Sequence, residues 1–183
     1  MRTIVIIPAR GGSKRLPKKN IHPFNGKPLI AYTVDACKQC SFIDGIFVSS
    51  DDLEILKTSE AIGATGLLRP SNLADDKTPK IVAIRQAVND TKVGTLERDD
   101  IVIVAQANSP QISAQQLQAA HALMTQHNLW EVMSTDENGV QNAAFRLVRY
   151  HALFNEFLSA HCGFIVAPNI DVHTLEDLQK IAN

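Results

Sequence analysis

Five cations, Arg10, Lys14, Arg15, Lys18 and Lys19, fall within ten residues of sequence beside Gly11, Gly12 and Ser13. Glycines let a backbone approach a ligand closely, exposed amides can form an anion nest, and Arg and Lys side chains add charge-assisted hydrogen bonds to phosphate oxygens. Like charges crowded into one loop repel, and a bound anion offsets that repulsion. The segment from Ala9 to Asn20 therefore reads as a phosphate-binding loop, with a solvated basic turn as the bland reading. It has neither the G-x-x-x-x-G-K-[ST] nor the G-x-G-x-x-G spacing, so it is not a Walker A loop or a dinucleotide fingerprint.

The loop accounts for a charge asymmetry that the total conceals. Residues 1–34 hold seven Lys/Arg and no Asp/Glu, while the rest of the 183 residues hold eleven basic and nineteen acidic side chains, giving a net charge of −1. A nucleic-acid surface would call for a wider basic surplus and stacking aromatics, and aromatic residues are only 5% of the chain, so no nucleic-acid partner is expected. Cys37 and Cys40 have C-x-x-C spacing, but no second pair completes a zinc set, and two thiols late in a helix is the plainer reading. An odd count of three cysteines favours a reducing compartment, so a cytoplasmic location is expected. No apolar run approaches the ~18 residues of a membrane span, and no secretion signal is read. His121 and His127 are six apart rather than three or four, and His22, His151 and His161 lack a paired ligand pattern. The adjacent pairs Asp51–Asp52 and Asp75–Asp76 can be acid/base pairs or helix caps.

These residues need elements to hold them. Thr3 to Pro8 is a short apolar run rich in β-branched residues, which predicts a strand buried on both faces. Pro28 suits the first position of a helix reaching about Cys40, and Asp44 to Ser49 reads as a second strand. Asp51 or Asp52 can cap a helix to about Ile62, followed by a strand at Thr65 to Leu68. Pro79 suits the first turn of a helix to about Asn89, and Ile101 to Ala105 is another buried strand with Gln106 at its carboxyl end. Beyond it the pattern predicts a helix over Ser113–His127, strands at Trp130–Ser134 and Ala144–Val148 around an Asn138-Gly139 turn, a helix near Tyr150–Ala160, a strand at Phe164–Val166 and a helix from Thr174. Alternating strands and helices predict an α/β fold, a three-layer sandwich with a mostly parallel sheet, in which ligands bind beyond the carboxyl ends of strands at a topological switch point. The basic loop and Gln106 should then face one crevice.

The ordered segments I-I-P-A-R-G-G-S-K-R-L-P-K-K-N (6–20), G-K-P-L-I-A-Y-T (26–33), V-S-S-D-D (48–52), R-P-S-N-L-A-D-D (69–76) and Q-A-N-S-P (106–110) closely resemble the acylneuraminate cytidylyltransferase family. The resemblance implies a nucleotide-diphospho-sugar transferase (Rossmann-like) fold spanning residues 1–183 as a single domain. It also implies transfer of CMP from CTP to a sialic-acid-like (nonulosonic) sugar acid, with release of pyrophosphate, for surface-polysaccharide synthesis. By the same resemblance Arg10, Gly11, Gly12, Ser13, Lys14, Lys19 and Asn20 match the CTP-binding loop, with Arg10, Lys14 and Lys19 in the catalytic role of holding the triphosphate. Arg69 matches a nucleotide-contacting Arg, Thr78 and Lys80 fall near the cytosine, and Gln106 faces the sugar acid. Asn142 matches the later N-G-A-x-Y motif on the substrate side. Mg²⁺ is the implied cofactor, bridging phosphate oxygens, and Asp171 matches the first carboxylate of the family's D-I-D-T metal motif. A helix-capping neighbourhood is the other reading of Asp171.

Three departures from the family pattern stand out. The second metal carboxylate is His173, and Mg²⁺ prefers oxygen ligands. Ile112 occupies the place of the terminal Arg of Q-P-T-S-P-L-R. The family's insertion of several dozen residues, which carries dimer and sugar contacts, is nearly absent around 135–142, which weighs against the homodimer that the resemblance implies. The alternatives are therefore a nucleotide-binding homologue without transferase activity and a nucleotidyltransferase with another acceptor.

Overall fold

The computed structural model describes residues 1–75 and 77–182, so Asp76 of the Asp75–Asp76 pair lies outside the described residues. The first apolar run forms β1 (Thr3–Pro8), whose Ile4, Val5, Ile6 and Ile7 are fully buried because both faces of the strand are covered. A 3-10 turn (Lys19–Ile21) and a small hairpin of β2 (Pro23–Phe24) and β3 (Lys27–Pro28) follow the basic loop. The chain then alternates through α1 (Leu29–Lys38), β4 (Gly45–Ser50), α2 (Leu53–Ala61), β5 (Thr65–Leu68), α3 (Lys80–Val88), β6 (Ile101–Ala105) and α4 (Ala114–Gln126). It closes with β7 (Glu131–Thr135), β8 (Gln141–Arg149), a 3-10 helix (Tyr150–Phe154), β9 (Cys162–Val166) and α5 (Leu175–Ala182).

Seven strands make one sheet in the order β5-β4-β1-β6-β8-β7-β9. β1 pairs in parallel with β4 and β6, β4 with β5, and β7 with β9, while β8 alone runs antiparallel to its neighbours β6 and β7. On one face Val5, Ile7 and Ile103 pack against Ile30 and Val34 of α1 and Leu117 and Ala120 of α4. On the other, Ile4, Ile6, Val102 and Val104 meet Ile84, Ala87 and Val88 of α3. This is the three-layer, mostly parallel sandwich that the alternation predicts. After β1 the chain adds β4 and β5 on one side, then returns to place β6 on the other, so β1 and β6 flank the switch point where such sheets bind ligands. No helix among the described residues is long and apolar enough to cross a membrane.

Three local expectations are corrected. Pro28 and Pro79 are N-caps with extended ψ angles of 145° and 137° rather than first helical residues, so α1 and α3 each begin one residue later. The helix predicted over Tyr150–Ala160 is only the 3-10 helix that ends at Phe154. Asn155 is extended, and Arg85 draws the Leu153 and Asn155 carbonyls to its Nε and Nη2, both at 3.0 Å. Buried Glu131 accepts the Ser159 amide, so the rest of the segment answers to tertiary partners rather than to helical hydrogen bonds.

Candidate active site

A cleft of about 580 Å³ opens at the carboxyl ends of β1 and β6. Its lining includes Arg10, Ser13, Lys14, Arg15, Lys19 and Asn20 from the basic loop, Arg69 and Thr78 from the segment after β5, Lys80 at the start of α3, Gln106 after β6, and Asp171 with His173 before α5. Among the described lining residues six are cations and two, Asp75 and Asp171, are carboxylates, so the cleft is built for an anion.

The loop owes its shape to side chains that brace it from below. Buried Asn20 donates through Nδ2 to the Arg10 carbonyl at 3.0 Å, and the Gly11 amide donates to Asp51 Oδ1 at 3.0 Å. The Ser13 amide donates to the Gly11 carbonyl at 2.8 Å. Two of the amides expected in an anion nest are thus engaged within the protein, and anion binding falls mainly to the side chains. The described carboxylates of the two aspartate pairs are structural as well. Asp51 pins the loop, Asp52 caps α2 by accepting from the Glu54 and Ile55 amides, and Asp75 accepts from the Lys77 and Thr78 amides.

Arg69 is buried and anchored to β4, donating from Nη2 to the Ser49 carbonyl at 2.8 Å and from Nε to the Ser49 hydroxyl at 3.2 Å. Burial lowers its pKa, Arg10 adds to the effect, and Asp51 opposes it. A guanidinium remains charged through such a shift. Burial also lowers the pKa of Lys19, with Arg15, Arg10 and Lys80 reinforcing the shift and Asp171 opposing it. The mutual repulsion implied by the sequence is therefore present in the folded cleft.

Elsewhere in the lining the Lys80 ammonium donates to Gln106 Oε1 at 3.0 Å. Gln106 is itself fixed, since its amide donates to the Ala144 carbonyl and its carbonyl accepts from the Thr33 hydroxyl. Asp171 accepts a short hydrogen bond from Ser109 Oγ. Asn108 grips the same segment through Nδ2 to the Val172 carbonyl at 2.9 Å, and the Val172 amide donates back to the Asn108 carbonyl at 2.8 Å. Val172 is fully buried with Leu16, Leu29 and Leu178, a side-chain burial worth roughly 1.5–3 kcal/mol, so the C-terminal segment is locked beside the loop. Asp171 caps no helix. That role belongs to Thr174, whose Oγ1 accepts the Asp177 amide while Asp177 Oδ2 accepts back from the His173 and Thr174 amides. His173 places Nδ1 3.5 Å from the Lys19 ammonium, and burial with the Lys19 and Arg15 charges lowers its pKa.

Ten of the thirteen sequence-derived site residues line this cleft: Arg10, Ser13, Lys14, Lys19, Asn20, Arg69, Thr78, Lys80, Gln106 and Asp171. Gly11 and Gly12 shape the loop from outside the lining. Asn142 does not line the cleft; its amide bridges the Ser134 hydroxyl and the Ala167 carbonyl, holding β7, β8 and the end of β9 together. Residue-level reasoning missed Asn108 and Ser109, although both lie in the quoted 106–110 motif. Their position at the carboxyl end of a buried strand was the available signal. Cys37 and Cys40 are buried, and burial pushes the Cys37 thiol up to about 12, which leaves it protonated and inert.

The cytidylyltransferase family model matches residues 4–153. The pseudaminic acid cytidylyltransferase of Campylobacter jejuni is 45% identical over 89 residues, 48% of this chain and 38% of that protein. The N-acylneuraminate cytidylyltransferase of Escherichia coli is 42% identical over 91 residues, 49% of this chain and 22% of that protein. The matches thus span less than half the length of these curated relatives. In three dimensions the chain is similar to CMP:2-keto-3-deoxy-manno-octonic acid synthetase complexed with CTP, with a TM-score of 0.77 at 17% identity over 99% of this chain and 97% of that one. At that identity the likeness is one of fold. The family match covers β1, the basic loop, Arg69, Lys80 and Gln106, the parts from which most of the cleft is made, and on that basis the chain belongs to the cytidylyltransferase family, of the acylneuraminate cytidylyltransferase type.

Proposed function

We propose that this chain transfers CMP from CTP to a sialic-acid-like sugar acid. The anomeric hydroxyl oxygen bonds to the α-phosphorus, the bond from that phosphorus to the bridging oxygen breaks, and pyrophosphate leaves with the bonding pair as the hydroxyl loses its proton. The observation that carries this reading is the single cleft lined together by the cationic loop, Arg69, Thr78, Gln106 and Asp171. In phosphoryl chemistry of this kind a protein contributes mainly positioning and charge stabilisation, and Arg10, Lys14 and Lys19 are assigned that work at the triphosphate.

A magnesium ion fits the site as a one-carboxylate case. Asp171, with Oδ1 held by Ser109, keeps its second oxygen for a cation, and Mg²⁺ commonly takes one or two carboxylates plus substrate phosphates. No group of three metal-ligating side chains exists among the described residues, and His173 adds no oxygen. When bound, the ion would neutralise charge on the phosphate oxygens. The three free cysteines suit a reducing cytoplasm.

A second reading, nucleotide binding without transfer, draws on His173 beside Lys19 and on buried Ile112. Pyrophosphate release measured with CTP, Mg²⁺ and a panel of sugar acids separates the two. Turnover with at least one acid is expected, whereas CTP binding with no turnover on any acid would reject transfer and favour the second reading.

A further inference from the structure

Lys19 and His173 are 154 residues apart in the chain, yet both line the cleft, with the Lys19 ammonium 3.5 Å from His173 Nδ1. Their backbones are placed independently. Lys19 opens the 3-10 turn beside Asn20, whose side chain holds the Arg10 carbonyl, while His173 follows buried Val172 and donates its amide to Asp177. The neighbouring Lys18 pairs with Glu54 and is not part of the lining, so Lys19 is the member of the Lys18–Lys19 pair that enters the cleft. An ammonium has donors only, so at this contact Nδ1 is the acceptor and the imidazole proton sits on Nε2. The ring in this contact is neutral, and its one free lone pair is engaged by Lys19 rather than by a metal ion.

We infer that His173 is a positioning residue for Lys19 and not a metal ligand: it holds the ammonium toward the triphosphate, while Asp171 serves the ion without it. The inference rests on the CTP-binding half of the transfer reading and deepens it. Lys19 stands close enough to Arg10, Arg15 and Lys80 to feel their charges, with Asp171 opposing them. A second carboxylate at position 173 would pair with the Lys19 ammonium and cancel its charge toward a bound anion. A neutral acceptor fixes the same ammonium and leaves its full charge for the phosphate oxygens. The departure at 173 then has a function of its own: Lys19 takes on charge neutralisation that an ion held by a second carboxylate would bring.

Calorimetric titration of the full chain with CTP in EDTA tests the role without depending on turnover. His173→Ala should weaken CTP binding about fivefold, the effect of one modest hydrogen bond, and leave cytidine binding unchanged. His173→Gln keeps a neutral acceptor and should recover most of the loss. In a Lys19→Met background His173→Ala should cause no further loss, since the residue acts through Lys19. Pulsed EPR of the Mn²⁺–CTP complex, formed on chain carrying isotopically labelled histidine, gives a readout independent of affinity, and no histidine-dependent nitrogen coupling is expected. Such a coupling, abolished by His173→Gln, would make His173 a metal ligand and overturn the inference. Undiminished CTP affinity in His173→Ala, or an equal loss with and without Lys19, would overturn it as well. Those outcomes leave CTP binding by the wild-type chain intact, whereas a wild-type chain that binds no CTP overturns the nucleotide reading beneath.

Discussion

A methyl group added at Gly11 would stand 2.8 Å from both Cβ and Oδ2 of Asp52. Asp52 cannot retreat, because its carboxylate caps α2 through the Glu54 and Ile55 amides. Gly11→Ala must therefore lift the loop, break the Gly11–Asp51 hydrogen bond and move Arg10 out of register with the phosphates. A methyl at Gly12 meets nothing within 4 Å. The expected outcome is a paired contrast: Gly11→Ala destabilises the fold by about 1–3 kcal/mol and weakens CTP binding about tenfold, while Gly12→Ala changes stability by less than about 0.5 kcal/mol. Urea denaturation and CTP titration of the two variants check it, and equal behaviour would contradict the close seating of Gly11 on Asp52. The glycines and cations of this loop were legible in the sequence, but their bracing was not. Asp51 is 40 residues from Gly11 along the chain, and nothing in its spacing showed that it would take an amide expected to face a ligand.

Elements whose own residues dictate them were read correctly, and elements dictated from a distance were not. Thr65–Leu68 and Ile101–Ala105 form strands with the predicted bounds, and the β-branched run of the second is buried throughout, as a central strand covered on both faces requires. The two-residue strands β2 and β3 are too short to leave a periodic trace. The segment after Tyr150 has helical spacing but is organised by Glu131, a fully buried carboxylate of β7 that pairs with Arg146 of β8 and also accepts the Ser159 amide. One side chain thus joins two strands to the approach into β9. Removing one partner of a buried pair leaves the other uncompensated, at a cost of about 3–5 kcal/mol, and partial exposure of Arg146 puts this pair at or below the lower end. Glu131→Ala is expected to cost roughly 3 kcal/mol by urea denaturation while CTP affinity stays within twofold, because Glu131 does not line the cleft. A stability loss below about 0.5 kcal/mol would remove Glu131 from this organising role.

At the scale of the whole molecule, seven cations precede the first carboxylate, Asp35, and the nearly neutral total arises only because the remaining chain is acidic. The fold turns that one-dimensional asymmetry into a local field by carrying four of the early cations into one cleft and adding Arg69 and Lys80 from later segments. Such a field acts on a polyanion beyond direct contact, and salt should reveal it. A pair of unit charges ~8 Å apart in water is worth about 0.5 kcal/mol. Raising ionic strength from about 0.05 M to about 0.5 M shortens the screening length from about 14 Å to about 4 Å. Screening over that range removes about 0.2 kcal/mol from each such pair, so about three pairs lose roughly 0.6 kcal/mol and CTP affinity is expected to fall about threefold. Cytidine, which carries no phosphate, should bind equally at both salt concentrations, and the urea midpoint should move little because the sheet is held by apolar burial on both faces. Titration of CTP and cytidine side by side makes the measurement. If the two ligands lost affinity in parallel, the cationic wall would not be where the phosphates lie.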